Sequence, residues 1–141
     1  MVNFKIKAFN NDLQERYHSD FNNQIKFVKD AVLTLEEAIK LLEKECLNEM
    51  EDKCKLVVEL EKESKFYGDK LIDVDEKNLI LGPDNINYIN FSKIMRDIGE
   101  KAKNASELLI DIKNDKVPKY LTKELVKLIE IDESISRNIY L

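Results

Sequence analysis

Apolar residues recur at steps of three and four along most of this chain, the period of a helix that turns one face to a core. From Phe21 the run is Phe21, Ile25, Val28, Val32, Leu35, Ile39, Leu42, Cys46, and it predicts a first helix over about 20–47. Thr34 with Glu37 imitates a capping box, but the unbroken run argues against a helix start there. A second run, Met50, Cys54, Val57, Leu60, Ser64, Tyr67, Leu71, predicts a helix over about 49–76. Gly68 lies inside it and weakens it by roughly 1 kcal/mol relative to Ala, the mark of either close packing or a kink. Gly82-Pro83 then breaks the pattern, and Asp84 or Asn85 can cap the next helix. The apolar patch Leu79, Ile80, Leu81 before that break is expected to tuck under the bundle end.

A third run, Phe91, Met95, Ile98, Ala102, Ala105, Leu109, Ile112, predicts a helix over about 85–113. Asn114-Asp115 read as a turn, and Pro118 suits the first turn of a fourth helix over about 118–137, with Leu121, Leu125, Leu128 and Ile135 on its seam. At the other end Val2, Phe4, Ile6 and Ala8 alternate with polar residues. A lone strand here would have no partner, so residues 1–19 are expected to be an extended arm or the start of a helix. The fold class is therefore all-α: an antiparallel up-down three-helix bundle, plus a fourth C-terminal helix that closes it or projects to a partner.

Length and composition fit one such domain. A chain of 141 residues buries roughly 70% of its unfolded surface, enough for one core. At 43% hydrophobic and 36% charged residues it is too apolar for disorder and too charged for a membrane protein. No run approaches the ~18 uninterrupted apolar residues of a membrane span. The start, MVNFKIKAFNND, lacks a signal peptide's apolar region, so the protein is expected to be cytoplasmic, with no direct membrane insertion. The net charge is −5 and Lys and Arg are scattered among acids, which disfavours nucleic-acid binding through phosphates. Only three Gly and two Pro punctuate the chain, in keeping with long helices.

Candidate chemistry is sparse. Cys46 and Cys54 are spaced like neither a zinc knuckle nor a redox pair, and are expected to be small buried hydrophobes. His18 is the only histidine, which leaves no histidine constellation for a triad or a metal site. It reads as a surface or capping residue. Arg96–Glu100, Glu100–Lys103, Lys103–Glu107 and Glu61–Lys65 are spaced as exposed ion pairs, each worth a few tenths of a kcal/mol. Glu59, Glu61 and Glu63 crowd one stretch, although alternate residues do not share a helix face. Carboxylates four apart on neighbouring helices could instead converge on a hard cation, but the Glu-x-x-His of di-iron bundles is absent. Without a glycine-rich phosphate loop or a nucleophile motif, no catalytic residue and no cofactor are expected.

One resemblance adds to this. Residues 97–107, DIGEKAKNASE, resemble the signature of PhoU-like proteins, roughly E-R-I-G-D-H-A-x-N-I-A-E: Ile98, Gly99, Ala102, Asn104 and Glu107 match, Glu100 replaces Asp, and Ala105 stands where the signature has Ile. ELEKES at 59–64 is similar to the E-L-E-x-E-A-D segment of the PhoU-related proteins that accompany phosphate transporters, and LGPDNIN resembles the Pro-x-Asp that leads into their third helix. Order and spacing agree across about 25–115. The resemblance implies a three-helix repeat, E/D-x-x-x-D pairs on two helices holding surface metal clusters, and regulation of phosphate uptake through a transporter or a sensor kinase. Two of the four motif positions here are cations: Lys65 follows Glu61, and Arg96 precedes Glu100. A cation in a cation site repels the ion. The metal face implied by the resemblance is therefore vestigial, with no metal expected; if one binds, Glu61, Asp97 and Glu100 are its donors.

These readings lead to a non-catalytic regulatory or adaptor protein of PhoU-like type. The alternative is a structural or protein-interaction bundle with no phosphate role. PhoU-like chains usually hold two such repeats, and a single repeat leaves an apolar face bare, so a homo-oligomer, a two-fold dimer, is the expected assembly. A phosphate transporter or sensor protein is the further partner the resemblance implies.

Overall fold

The computed structural model describes the backbone of residues 2–77, 84–114, 123, 124 and 127, and the side chains of 15–72, 87–114, 123, 124 and 127. Three long helices make up the described chain: α1 Val2–Glu43, α2 Leu47–Lys77 and α3 Asp84–Lys113. The patch Leu79–Leu81, the Gly82-Pro83 break and most of the predicted fourth helix lie outside the described residues.

The side-chain contacts give the directions. Tyr17 meets Tyr88 and Phe21 meets Phe91 edge to face, and Leu42 shares a core cluster with Leu109 and Ile112, so α1 and α3 run parallel. Phe27 stacks on Tyr67, and Leu42 packs in the same cluster as Met50, so α2 runs antiparallel to both. This is the expected up-down-up bundle. The arm reading of residues 1–19 gives way to its alternative, since α1 begins at Val2. An alternating run can be carried on a helix whose neighbours do not demand one apolar face. From the Tyr17–Tyr88 level, about the first twelve residues of α1 run past the start of α3, roughly 18 Å at 1.5 Å per residue.

α1 stops at Glu43, short of the expected 47, and Cys46 leaves the helix. Glu45 takes a left-handed φ of 59°, its N–H donates to the Leu42 carbonyl at 3.0 Å, and the Cys46 N–H donates to the Leu41 carbonyl at 2.9 Å. These two bonds form a Schellman motif, with glutamate where glycine is the usual choice. The Met50 N–H then donates to the Cys46 carbonyl, which makes Cys46 the N-cap of α2. Thr34 is no helix start: its hydroxyl donates to the Asp30 carbonyl one turn back, at 2.7 Å.

The core changes character along the bundle. At the end near the α1–α2 turn it is apolar and large: Ile39, Leu42, Met50, Cys54, Leu109 and Ile112, with Ala38. At the opposite end Tyr17, Leu71 and Ile89 pack with Phe21 and Tyr88. Between them lies a waist of small or polar residues: Gln24, Ser64, Ser92 and Gly99 beside Ala31, Val57 and Ala102. Gly68 belongs to this waist. A Cβ there would stand 2.6 Å from Nε2 of Gln24, whose amide donates to the Ser92 carbonyl at 3.1 Å. Gly68 thus marks close packing.

The buried face of α3 departs from its predicted seam. Ala102, Leu109 and Ile112 are buried as expected, but Phe91 and Ile98 are 54% and 38% exposed. Their places are taken by Ser92 and Gly99, one position on along the helix, and Ser106 replaces Ala105. On α1 the shift is milder: Gln24 and Ala31 are buried, while Ile25 is half-buried and Val32 exposed. On α2 the predicted seam holds, with Leu60 and Tyr67 half-buried.

Candidate functional site

The segments ELEKES and DIGEKAKNASE meet on the α2–α3 seam. A Cβ on Gly99 would lie 3.6 Å from Cγ of Glu61, 3.7 Å from Oγ of Ser64 and 3.8 Å from Cγ2 of Val28. ELEKES therefore faces DIGEKAKNASE through its Glu61 and Ser64. All three distances are ordinary van der Waals contact, so glycine is not required here by space.

Of the four motif positions, Glu61 lies against this point. Glu61 is half-buried, Lys65 and Glu100 are exposed, and Arg96 is half-buried. The expected Arg96–Glu100 pair is not the one that forms. Arg96 reaches across to α2, and its Nη2 donates to Oδ1 of Asp69 at 2.8 Å. Spacing within the sequence does not single out Asp69; only the α2–α3 register brings it level with Arg96. Pairs that form within a helix include Lys40–Glu36, Lys55–Glu51 and Lys127–Glu124. Asp97 is exposed beside Glu100. Among the described residues no three His, Cys, Asp or Glu side chains are placed to hold one metal ion.

The remaining candidates are placed as follows. His18 is exposed in mid-α1, edge-on to Tyr88 at 6.1 Å between ring centres, a surface residue and not a cap. Cys54 is fully buried, and burial pushes its thiol up to about 11. Cys46 is a half-buried turn residue, contrary to the expectation of a buried helical one, and a hydrogen bond with Glu49 raises its pKa. Both thiols are free.

The strongest electrostatic feature lies at the end near the α1–α2 turn. Glu51 on α2 pairs with Lys113 on α3 and with Lys55 on its own helix, the latter at 2.9 Å. Lys113 also donates to Oδ1 of Asn48 at 3.0 Å. Hydrogen bonding from Lys113, then from Lys55, holds the Glu51 carboxyl at about 2. The cluster ties the last turn of α3 to the first turns of α2, a structural role.

Two apolar features reach the surface. Phe66 is exposed on α2 with the Lys70 ammonium over its ring at 4.4 Å, while Tyr67 turns in to stack on Phe27. The longer feature follows the groove between α1 and α3. Phe91, Ile94 and Ile98 line one side, all exposed, and exposed Val32 lies with half-buried Phe21 and Ile25 on the other. The Phe21–Phe91 ring contact, 6.4 Å between centres, brings the two rows together. All of these except Ile94 are residues that the sequence pattern assigns to the core. What the described surface offers is apolar area bounded by charges, the makings of a contact surface. No helix among the described residues is long and apolar enough to cross a membrane. No family model matches the chain, and neither does any curated protein or solved structure.

Proposed function

We propose that this chain is a non-catalytic regulatory or adaptor protein, a short bundle resembling the PhoU-like regulators of phosphate uptake and working through contact with other proteins in the cytoplasm. The observation that carries the reading is the meeting of ELEKES and DIGEKAKNASE at Gly99. Two segments matched separately by sequence fall on facing helices, as a shared repeat requires. The reading includes the predicted fourth helix over 118–137. In it the cationic positions Lys65 and Arg96 replace the ligands of a metal face, and Arg96 serves as an ion-pair partner for Asp69.

A second reading, an interaction bundle with no phosphate role, is favoured by that same ion pair. Arg96–Asp69 gives Arg96 a structural task that owes nothing to a metal motif. Affinity capture of the tagged chain from detergent-solubilised native membranes separates the two. Recovery of a phosphate transporter or its sensor kinase is expected under the first reading. Recovery of the chain alone, or of a soluble partner unrelated to phosphate, contradicts it and leaves the second.

A further inference from the structure

The α1–α3 groove carries exposed Val32, Phe91, Ile94 and Ile98, and we propose that residues 118–137 of this same chain are its occupant, lying back along it as a fourth helix and closing the bundle. The inference concerns how the bundle is completed and stands whether or not the phosphate-uptake reading does.

Reach is the first support. α3 ends at Lys113, at the end of the bundle that holds Leu42 and Met50, and the groove runs back from there toward Phe91. After a short turn, twenty helical residues span about 30 Å at 1.5 Å per residue. That carries the segment from the end of α3 back to about the level of Ile94, and Ile139, Tyr140 and Leu141 extend it to Phe91. A short connection between neighbouring helices gives this antiparallel course.

Pattern is the second. Leu121, Leu125, Leu128 and Ile135 share one helical face. Lys123, Glu124 and Lys127 are helical and exposed, with a Lys127–Glu124 ion pair at 3.3 Å. They are the positions between the leucines, and at all three the side chain faces water.

Charge is the third. Exposed Lys29 and Lys101 stand on the helix faces that border the groove. The antiparallel course brings the acidic run Glu130, Asp132 and Glu133 level with them. A second copy of the chain could also cover the stripe, but a tethered segment acts at an effective concentration on the order of millimolar and wins in dilute protein.

The test is hydrogen exchange of the full chain, read by mass spectrometry at two protein concentrations alongside sedimentation velocity. In the unmodified protein the amides of 118–137 are expected to exchange at least about tenfold more slowly than an open chain, equally at both concentrations. The variant Ile94→Asp/Ile98→Asp is expected to abolish that protection while the amides of α2 keep theirs. Leu125→Asp/Leu128→Asp, which leaves α1–α3 untouched, is expected to do the same and serves if the first variant unfolds. Three results overturn the proposal: an unprotected 118–137 in the unmodified protein, protection that survives both variants, or protection lost on dilution as dimer gives way to monomer. The last would assign the groove to a second copy.

Discussion

The end of the bundle near the α1–α2 turn and its waist are built from the same three helices by opposite means. At that end, Leu42, Met50, Cys54, Leu109 and Ile112 meet inside, and the outside is held by Glu51, Lys55 and Lys113. At the waist the inside is Gln24, Ser64, Gly68, Ser92 and Gly99, while Phe66, Phe91, Ile94 and Ile98 stand outside. Hydrophobic transfer explains the first region, at roughly 25 cal/mol per Å² of apolar surface removed from water. The second gains little that way. It gains close backbone approach, the dispersion contacts that come with it, and one buried hydrogen bond from Gln24. The large side chains displaced from the waist supply an apolar surface that a simple three-helix core would have consumed.

Substitutions can break this contrast or sharpen it. The largest effect is expected at the apolar end, where Met50 is fully buried. Met50→Ala should lower unfolding free energy by about 3 kcal/mol through lost transfer and a residual cavity. A denaturant titration showing less than about 1 kcal/mol would mean that this end is not a close-packed core. At the waist the sign reverses for Gly99→Ala. The added methyl meets only ordinary contacts, so the helix-propensity gain of about 1 kcal/mol should appear as increased stability. A loss would show that the helices sit closer at Gly99 than the Cβ distances allow.

Smaller effects are expected at the turn. Glu45→Gly relieves a left-handed backbone at the Schellman position and should stabilise by only about half a kcal/mol, because glycine's extra freedom in the unfolded chain offsets part of the gain. The smallest effect has a pH signature. Hydrogen bonding depresses the folded Glu51 carboxyl to about 2 from its ordinary 4.5. Its contribution is therefore fully present above about pH 4.5 and lost as pH falls toward 2. Glu51→Gln should flatten the thermal midpoint over that window and leave it steeper nowhere else. An unchanged acid limb would remove Glu51 from the account.

Legibility tracks chemistry along the chain. α2 is legible because its inward residues, Met50, Cys54, Val57 and Leu71, are apolar and its exceptions are few. α3 matches its pattern at Ala102, Leu109 and Ile112 and lies one position out at Ser92, Gly99 and Ser106. A pattern of large apolar residues points to wherever those residues are, and beside Ser92 and Gly99 they are outside. The true inward positions, Ser92 and Gly99, carry no apolar signal, and Gln24 on α1 is polar. The helical start of α1 is hidden by a short alternation that looks like a strand. The stop of α1 is hidden because Glu45 takes the position that glycine usually announces. Of the candidate site, the placing of Glu61 and Gly99 on neighbouring helices is legible from the two helical runs. The Arg96–Asp69 pair is not, because it depends on the α2–α3 register and not on spacing within a helix.

Gly68 and Gln24 share one space at the waist. A double-mutant cycle on stability tests it most directly. Gly68→Ala alone should destabilise by about 1–2 kcal/mol, because the new methyl must push aside a buried amide that is bonded to Ser92. In a Gln24→Ala background the same change should cost nothing, or stabilise by up to about 1 kcal/mol, since only the propensity gain remains. Equal effects of Gly68→Ala in both backgrounds would contradict the account: the two residues would then not meet, and the small, polar waist would not be what brings these helices together.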